Sequence, residues 1–147
     1  MRNQTVLVSG ASIAGPALAY WLHRYGFTVT VVERAPALRP GGQAVDFKGR
    51  THLTVLDRMG VLDAIRARRT GTTDMVFVDA QGRELAVAPG EFTGGDVEIL
   101  RGDLAEVLYD TTAGEVEYLF GDTVTALRDT ADDVEVTFEN AAPRTFD

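Results

Sequence analysis

Residues 4–33 read QTVLVSGASIAGPALAYWLHRYGFTVTVVE, with a glycine-containing turn after the first apolar run. The β-branched, apolar runs 4–9 and 27–33 predict short strands that are buried on both faces of a parallel sheet. Between them, apolar residues recur at helical spacing over residues 14–25. Because a helix that joins two parallel strands is a βαβ crossover, the stretch predicts an α/β domain.

The turn between the first strand and the helix has the composition of a phosphate-binding loop. Gly10 allows a tight turn, and small residues at the third and last positions let the backbone approach a pyrophosphate. The helix N-terminus offers N–H groups and the positive end of its dipole to the phosphates. Ser12 stands where the dinucleotide-binding fingerprint has its second glycine, and its hydroxyl could itself meet a phosphate. The residues predicted to bind here are Gly10, Ser12, Ile13, Ala14 and Gly15.

An acidic residue completes the pattern. Glu33 lies eighteen residues after Gly15, at the carboxyl end of the second predicted strand. A carboxylate there can accept both ribose hydroxyls and repels a 2′-phosphate. A glycine motif alone is weak evidence, but the strand before it, the helix after it and the acid together make it strong. The stretch therefore predicts a site for the ADP portion of a dinucleotide, the alternative being an ordinary α/β turn with a fortuitous glutamate.

Composition excludes several classes of partner. The chain has 147 residues, enough for one domain, and a formal charge of -8, which argues against a nucleic-acid partner. There are no cysteines and only two histidines, so no metal site is predicted. No apolar run reaches the roughly 18 residues of a membrane span, and the N-terminus has no signal-peptide pattern. We expect a cytoplasmic protein without a membrane partner.

Coarser predictions cover the rest of the chain. Residues 34–49 are predicted to form a loop, and the last third is strand-rich with a final strand beginning at Arg144. An exposed sheet edge there should favour self-association or a complementing C-terminal half. The remaining predictions are helices at 51–59 and 61–69, a hairpin at 75–87 around Gln81–Gly82, a glycine loop at 90–95, and a strand running into a helix over 97–113.

Three segments carry a resemblance to a known family: GASIAG with VVERAP, the loop from Arg39 through Gly41-Gly42 to Asp46, and EILRGDL at 98–104. In them the chain resembles the N-terminal portion of the single-component FAD-dependent aromatic hydroxylases, which include p-hydroxybenzoate hydroxylase. It is most similar to the tetracycline-inactivating branch. The resemblance implies a three-layer, Rossmann-like FAD-binding domain of the glutathione-reductase type. Residues 1–147 would form an incomplete part of it, with a β-meander at 115–139 and a substrate-domain hairpin and loop at 75–95.

The resemblance also implies roles for individual residues. Arg101 would contact the FAD and Asp46 would lie on its flavin side, unless they are a solvated charge and a turn residue. Arg39 is associated with the nicotinamide donor, and the strand around Val124 brings backbone groups to the adenine. Arg34 belongs to a string that is typical of flavoproteins and is counted with the cofactor-binding residues. No catalytic side chain is expected in this stretch, because oxygen activation belongs to the reduced flavin.

The function that follows is the FAD-binding portion of a monooxygenase. The complete enzyme would use NAD(P)H and O2 to hydroxylate a small aromatic or polyketide-like substrate. We expect that the 147 residues alone do not turn over, which leaves a non-catalytic FAD- or ADP-binding module as the alternative. An NAD-dependent short-chain reductase is disfavoured, because no tyrosine has a lysine four residues on and the only lysine is Lys48.

Overall fold

The structure, a computed structural model, describes residues 4–71 and 73–147. Residues 1–3 and 72, which fall within the predicted domain, lie outside the described part. The chain forms two compact units: one combines residues up to Pro40 with Leu104–Asp147, and the other is Gly41–Asp103. In the described part of the chain, no helix is both long and apolar enough to cross a membrane.

Helices and strands are interspersed up to Asp110, and only strands follow. The strands are β1 (Thr5–Ser9), β2 (Thr28–Glu33), β3 (Ala44–Phe47), β4 (Met75–Val78), β5 (Glu84–Ala88), β6 (Val97–Leu100), β7 (Glu117–Phe120), β8 (Val124–Asp129), β9 (Val134–Phe138) and β10 (Arg144–Phe146). The helices are α1 (Ala14–Arg24), α2 (Arg50–Arg58), α3 (Leu62–Ala67), α4 (Gly90–Thr93) and α5 (Arg101–Asp110). The predicted βαβ unit is confirmed as β1, α1 and β2, and the helices predicted at 51–59 and 61–69 are α2 and α3.

The first unit has three layers. A parallel sheet in the order β1-β2-β7 lies between α1 and an antiparallel sheet in the order β10-β9-β8. Side chains alternate along β2, so Val29 and Val31 pack in the core that includes Ala19 of α1. Val32 points the other way and packs against Val136 of the antiparallel sheet. Both faces of β2 are therefore buried, which explains its continuous apolar run and confirms the predicted three-layer α/β fold.

The meander differs from the prediction in its boundaries. Residues 115–139 were expected to form it, but β7 pairs in parallel with β2, with Val31 opposite Tyr118 and Val32 opposite Leu119. The antiparallel sheet is made instead by β8, β9 and β10. A short apolar strand carries no local signal for its partner. Here β7 pairs with the edge of β2, where Tyr118 and Phe120 pack against one core and Leu119 against the other.

The second unit contains two small antiparallel pairs. β3 pairs with β6, and β4 pairs with β5 in the predicted hairpin, whose tight turn has Gly82 at φ +77°. The prediction of a loop throughout 34–49 is wrong at β3, since a run of only four residues, with glycines nearby on either side, gives little strand signal. The predicted glycine loop at 90–95 is likewise replaced in part by the single helical turn α4.

Candidate functional site

The turn after β1 is as tight as its glycines suggest. Gly10 has φ +103°, a left-handed conformation that favours glycine, and its N–H donates to the carbonyl of Val32 at 2.7 Å. Gly15 lies directly against the same turn, since a Cβ placed on it would come 1.8 Å from the carbonyl oxygen of Gly10. Nothing lies within 4 Å of the position a Cβ of Gly10 would take. The two glycines therefore serve different needs: backbone conformation at Gly10 and close packing at Gly15.

The N-terminus of α1 suits an anion. Its N-cap residue is Ile13, whose side chain makes no capping hydrogen bond, and no acidic residue lies in the first turn. Ala14 begins the helix, and Pro16 has no N–H to satisfy. Ser12 lies in the turn just before the helix. Because the positive end of the helix dipole is not neutralised by a side chain of the first turn, a phosphate group is favoured there.

Glu33, at the end of β2, is joined to this turn. One of its carboxylate oxygens accepts the N–H of Ala11 at 2.8 Å, and the other accepts the N–H of Ala35, also at 2.8 Å. Partial burial acts to raise the pKa of Glu33, but these two hydrogen bonds and the charges of Arg39 and Arg34 outweigh it. The pKa lies below its ordinary value, so the carboxylate is charged at neutral pH.

The two arginines that follow Glu33, Arg34 and Arg39, are exposed, and each stabilises the negative charge of Glu33. Arg39 and Arg34 both lower the pKa of Glu33 through their positive charges, with Arg39 the larger of the two. The structure thus places Arg39 in the electrostatic environment of the predicted ribose-binding carboxylate. Its predicted association with the nicotinamide donor stays a prediction.

A residue that the sequence did not single out lies beside Glu33. Asp122 is buried, and its backbone N–H donates to the carbonyl of Glu33 at 3.1 Å. Val124, predicted to lie near the adenine, follows two residues later as the first residue of β8. In the sequence, Gly121-Asp122 reads only as a turn signal, and burial of the carboxylate could not be read from it.

The second unit brings together two of the segments that carry the family resemblance. The N–H of Arg101 donates to the carbonyl of Gln43 at 3.0 Å, and the N–H of Gly102 donates to that of Gly41 at 2.7 Å. A Cβ on Gly42 would lie 3.5 Å from Cβ of Arg101. The glycine loop therefore lies along the base of the arginine side chain, at the start of α5.

Asp46 has a structural partner in this unit. Its carboxylate accepts the N–H of Gly95 at 2.9 Å, while the carboxylate of Asp96 accepts the N–H of Gly49 at 2.6 Å. The N–H of Asp96 donates in turn to the carbonyl of Phe47 at 2.8 Å. These contacts tie the end of β3 to the segment before β6. Asp46 lies within β3 rather than in a turn, and its side chain has a structural contact with the segment before β6. Its predicted place beside the flavin stays a prediction.

A cavity of about 570 Å³ lies next to this contact, within the second unit. Its charged lining residues are Asp46, Asp74, Asp96, Glu98 and Arg69. The acids are engaged with neighbouring loops: Asp74 accepts the N–H of Gly90 at 3.0 Å, and Glu98 accepts the hydroxyl of Thr70. Among the residues that the structure describes, no group of histidine, aspartate and glutamate is arranged to hold a metal ion.

The three layers, the glycine turn against a helix N-terminus and the acid at the end of the second strand define a dinucleotide-binding protein of the α/β class. The model of the FAD binding domain family matches residues 3–145. The chain belongs to this family, and FAD rather than NAD is its dinucleotide.

Similar proteins place the chain more closely. An uncharacterized protein of Mycobacterium tuberculosis (strain CDC 1551 / Oshkosh) is 51% identical over 150 residues, covering 98% of this chain and 40% of the relative. A flavin-dependent monooxygenase of Legionella longbeachae is 44% identical over 115 residues, covering 75% of this chain and 29% of the relative. The chain spans about 40% of the length of the first of these relatives.

Solved structures agree. The tetracycline destructase Tet(51) matches with a TM-score of 0.83 and 39% identity, covering 98% of this chain and 37% of that one. CtdE in complex with FAD matches with a TM-score of 0.81 at 19% identity, covering 99% of this chain and 37% of that one, and this likeness shows the fold alone. The resemblance to the FAD-dependent hydroxylases and their tetracycline-inactivating branch is confirmed.

Proposed function

We propose that the first unit of this chain holds the ADP portion of FAD. The observation that carries the proposal is the link between Glu33 and the glycine turn: the N–H of Ala11 donates to the carboxylate at 2.8 Å. This contact puts a charged ribose acceptor beside the turn that suits a pyrophosphate. The residues fit the group, because Gly15 leaves no room for a Cβ and the helix N-terminus carries no side-chain cap.

Each part of the ADP has a proposed contact. The pyrophosphate binds at the turn from Gly10 to Gly15, where the backbone N–H groups and the helix dipole favour negative charge. The ribose hydroxyls donate to Glu33. Each oxygen of that carboxylate accepts one backbone N–H and keeps a further lone-pair site, so the internal hydrogen bonds do not compete with the ribose. Arg34 adds positive charge near the same carboxylate.

For the whole protein we propose a flavin-dependent monooxygenase. Bound FAD would supply electron transfer from NAD(P)H and activation of O2. This chain's residues would bind and orient the FAD. Arg101 is proposed to contact it, Asp46 to lie on its flavin side, and the backbone near Val124 to lie at the adenine. The tetracycline destructases among the similar structures favour a polyketide-like or other aromatic small molecule as substrate. The hairpin at 75–95 is proposed to belong to the substrate side.

ADP binding tests the proposal at the residue that carries it. Glu33→Gln should weaken ADP binding by about 2 kcal/mol, roughly thirtyfold, because hydrogen bonds to a charged acceptor are worth about 1.5–3 kcal/mol. Glu84→Gln makes the same change of charge on the exposed strand β5 and should leave the affinity unchanged. Calorimetric titration of both variants with ADP measures the difference. Equal affinities for the two variants would contradict the assignment of the ribose site.

Three further measurements address FAD binding, turnover and self-association. An absorption spectrum with bands near 370 and 450 nm, which are general to oxidised flavins, would report bound FAD. A colourless protein that binds ADP but takes up no added FAD would favour the non-catalytic module. NAD(P)H oxidation coupled to product formation by the 147 residues alone would contradict the expectation that they do not turn over. Light scattering at high concentration tests the predicted self-association, and a clean monomer would count against it.

A further inference from the structure

Asp122 is a buried carboxylate that the proposed contacts with FAD do not use. Its side chain belongs to a residue only 4% exposed, in the turn between β7 and β8. A buried charge is costly unless it is fully hydrogen-bonded. The hydrogen bonds of this carboxylate therefore show which segments it holds in place.

The carboxylate joins two turns of the antiparallel sheet. One oxygen accepts the N–H of Thr123 at 2.8 Å and that of Asn140 at 3.0 Å, and the other accepts the N–H of Ala141 at 2.8 Å. The side chain of Asn140 completes the link by donating to the carbonyl of Gly121 at 2.9 Å. The side chains of Asp122 and Asn140 thus hold the turn before β8 and the turn after β9 together.

The same turn is also bonded to the segment that carries the ribose-binding carboxylate. The N–H of Asp122 donates to the carbonyl of Glu33 at 3.1 Å, and the N–H of Gly121 donates to the carbonyl of Ala35 at 2.9 Å. Ala35 in turn donates its N–H to the carboxylate of Glu33. Movement of this turn would therefore be transmitted to both the main chain and the side-chain hydrogen bond of Glu33.

Burial acts to raise the pKa of Asp122, but hydrogen bonds from backbone N–H groups, led by that of Asn140, outweigh it, and the pKa lies below its ordinary value. The carboxylate is therefore charged at neutral pH. This agrees with its hydrogen bonds, because both of its oxygens accept backbone N–H groups.

We propose that Asp122 is a positioning residue for the adenosine site, which orients Glu33 toward the ribose through the turn it anchors. The proposal rests on the proposed function, because it assumes that Glu33 binds the ribose. It extends that function to a side chain whose hydrogen bonds are to the protein backbone. The same anchor sets the start of β8, where Val124 is proposed to lie near the adenine.

The test compares Asp122→Asn with Asp132→Asn in the full 147-residue chain. Both variants remove one negative charge, but Asp132 is exposed in the turn between β8 and β9. The asparagine at 122 replaces one acceptor oxygen with a donor group, so at least one backbone N–H loses its partner. Titrations use ADP and 2′-deoxy-ADP, since their affinity ratio isolates the 2′-hydroxyl, one of the two ribose hydroxyls that are proposed to donate to Glu33.

We expect Asp122→Asn to bind ADP about tenfold more weakly, the scale of a well-formed hydrogen bond to a charged group. Binding of 2′-deoxy-ADP should weaken less, so that the preference for ADP shrinks toward one. A merely structural loss would weaken both nucleotides equally and leave the ratio intact, and that result would overturn the proposal. Asp132→Asn should match the wild type in both titrations.

An NMR measurement without nucleotide decides the inference independently. In Asp122→Asn the amide signals of Ala11 and Ala35, which donate to Glu33, should shift, and unchanged signals would overturn the proposal. If the wild type does not distinguish ADP from 2′-deoxy-ADP, the proposed ribose site fails, and the amide shifts still report whether Asp122 positions Glu33. If Asp122→Asn does not fold, Asn140→Ala can be used instead, because it removes only the side-chain hydrogen bond to Gly121. It should shift the amide signal of Ala35 to a smaller extent, and an unchanged signal would count against the proposal.

Discussion

Gly15→Ala is the sharpest single perturbation of the nucleotide-binding turn. The added Cβ would lie 1.8 Å from the carbonyl oxygen of Gly10, whereas real Cβ atoms essentially never come closer than 3.0 Å to such a neighbour. The start of α1 and the turn must therefore move apart by roughly 1 Å, since the atom in the way is backbone and cannot rotate aside. We expect the strain to cost about 3 kcal/mol, at the upper end of the range for overpacking, because backbone must move. Alanine's better helix propensity returns about 1 kcal/mol.

The net loss of about 2 kcal/mol should appear in urea unfolding. Trp21, the only tryptophan, lies on α1 and contacts Tyr20 edge-on, so its fluorescence reports the first unit directly. With a typical dependence of about 2 kcal/mol per molar urea, the midpoint should fall by roughly 1 M. Gly114→Ala is the matched control, because a Cβ there meets nothing within 4 Å and the residue needs no left-handed conformation.

The displacement should also disturb ADP binding, by tenfold or more, since misplacing a binding loop by about 1 Å is enough to lose well-aligned contacts. A Gly15→Ala protein that unfolds at the wild-type urea concentration and binds ADP with wild-type affinity would contradict this prediction. That outcome would mean that the helix does not approach the turn as closely as the structure shows.

Three other expectations follow from the charges and close contacts. The pKa of Glu33 in the folded state lies below its ordinary value of 4.5, so its charge stabilises the fold at pH values above 4.5. That contribution is lost as the pH falls through the lowered pKa, so acid unfolding should be less steep in Glu33→Gln than in the wild type. Gly95→Ala should lower the thermal midpoint, because its Cβ would lie 2.7 Å from the carbonyl oxygen of Phe47; an unchanged melting curve would argue against that close approach. Arg101→Ala should weaken FAD binding while leaving ADP binding unchanged, with partial recovery in Arg101→Lys; an equal loss for both ligands would place the arginine's effect elsewhere.

Much of the first unit could be predicted from the sequence because its signals are local. The strand from Thr5 and the strand ending at Glu33 are continuous apolar runs, and Gly10 marks a turn that only a glycine adopts easily. The role of Gly15 also follows from the fingerprint, since close packing of helix on strand requires a missing Cβ. These features depend on residue type and spacing alone, so they could be predicted without knowing which distant segments pair with them.

What could not be predicted depends on partners distant in the sequence. β3 is a strand because β6, more than fifty residues on, offers it an antiparallel edge, with Asp46 opposite Glu98. β7 leaves the expected meander for the same reason. Asp122 is the clearest case, because an aspartate after a glycine normally stays in a solvated turn, and only the approach of Asn140 makes it a buried anchor.

The two units contain different parts of the proposed FAD site, and the contacts that place each part lie within its own unit. Glu33, the glycine turn and Asp122 all lie in the first unit, whose internal hydrogen bonds account for their placement. Arg101 and Asp46 lie in the second, where their neighbours are the glycine loop and Gly95. ADP alone therefore probes the first set, and only the difference between FAD and ADP affinity addresses the second. An ADP site that survives every change in the second unit would show that the residues needed to bind adenosine all lie in the first.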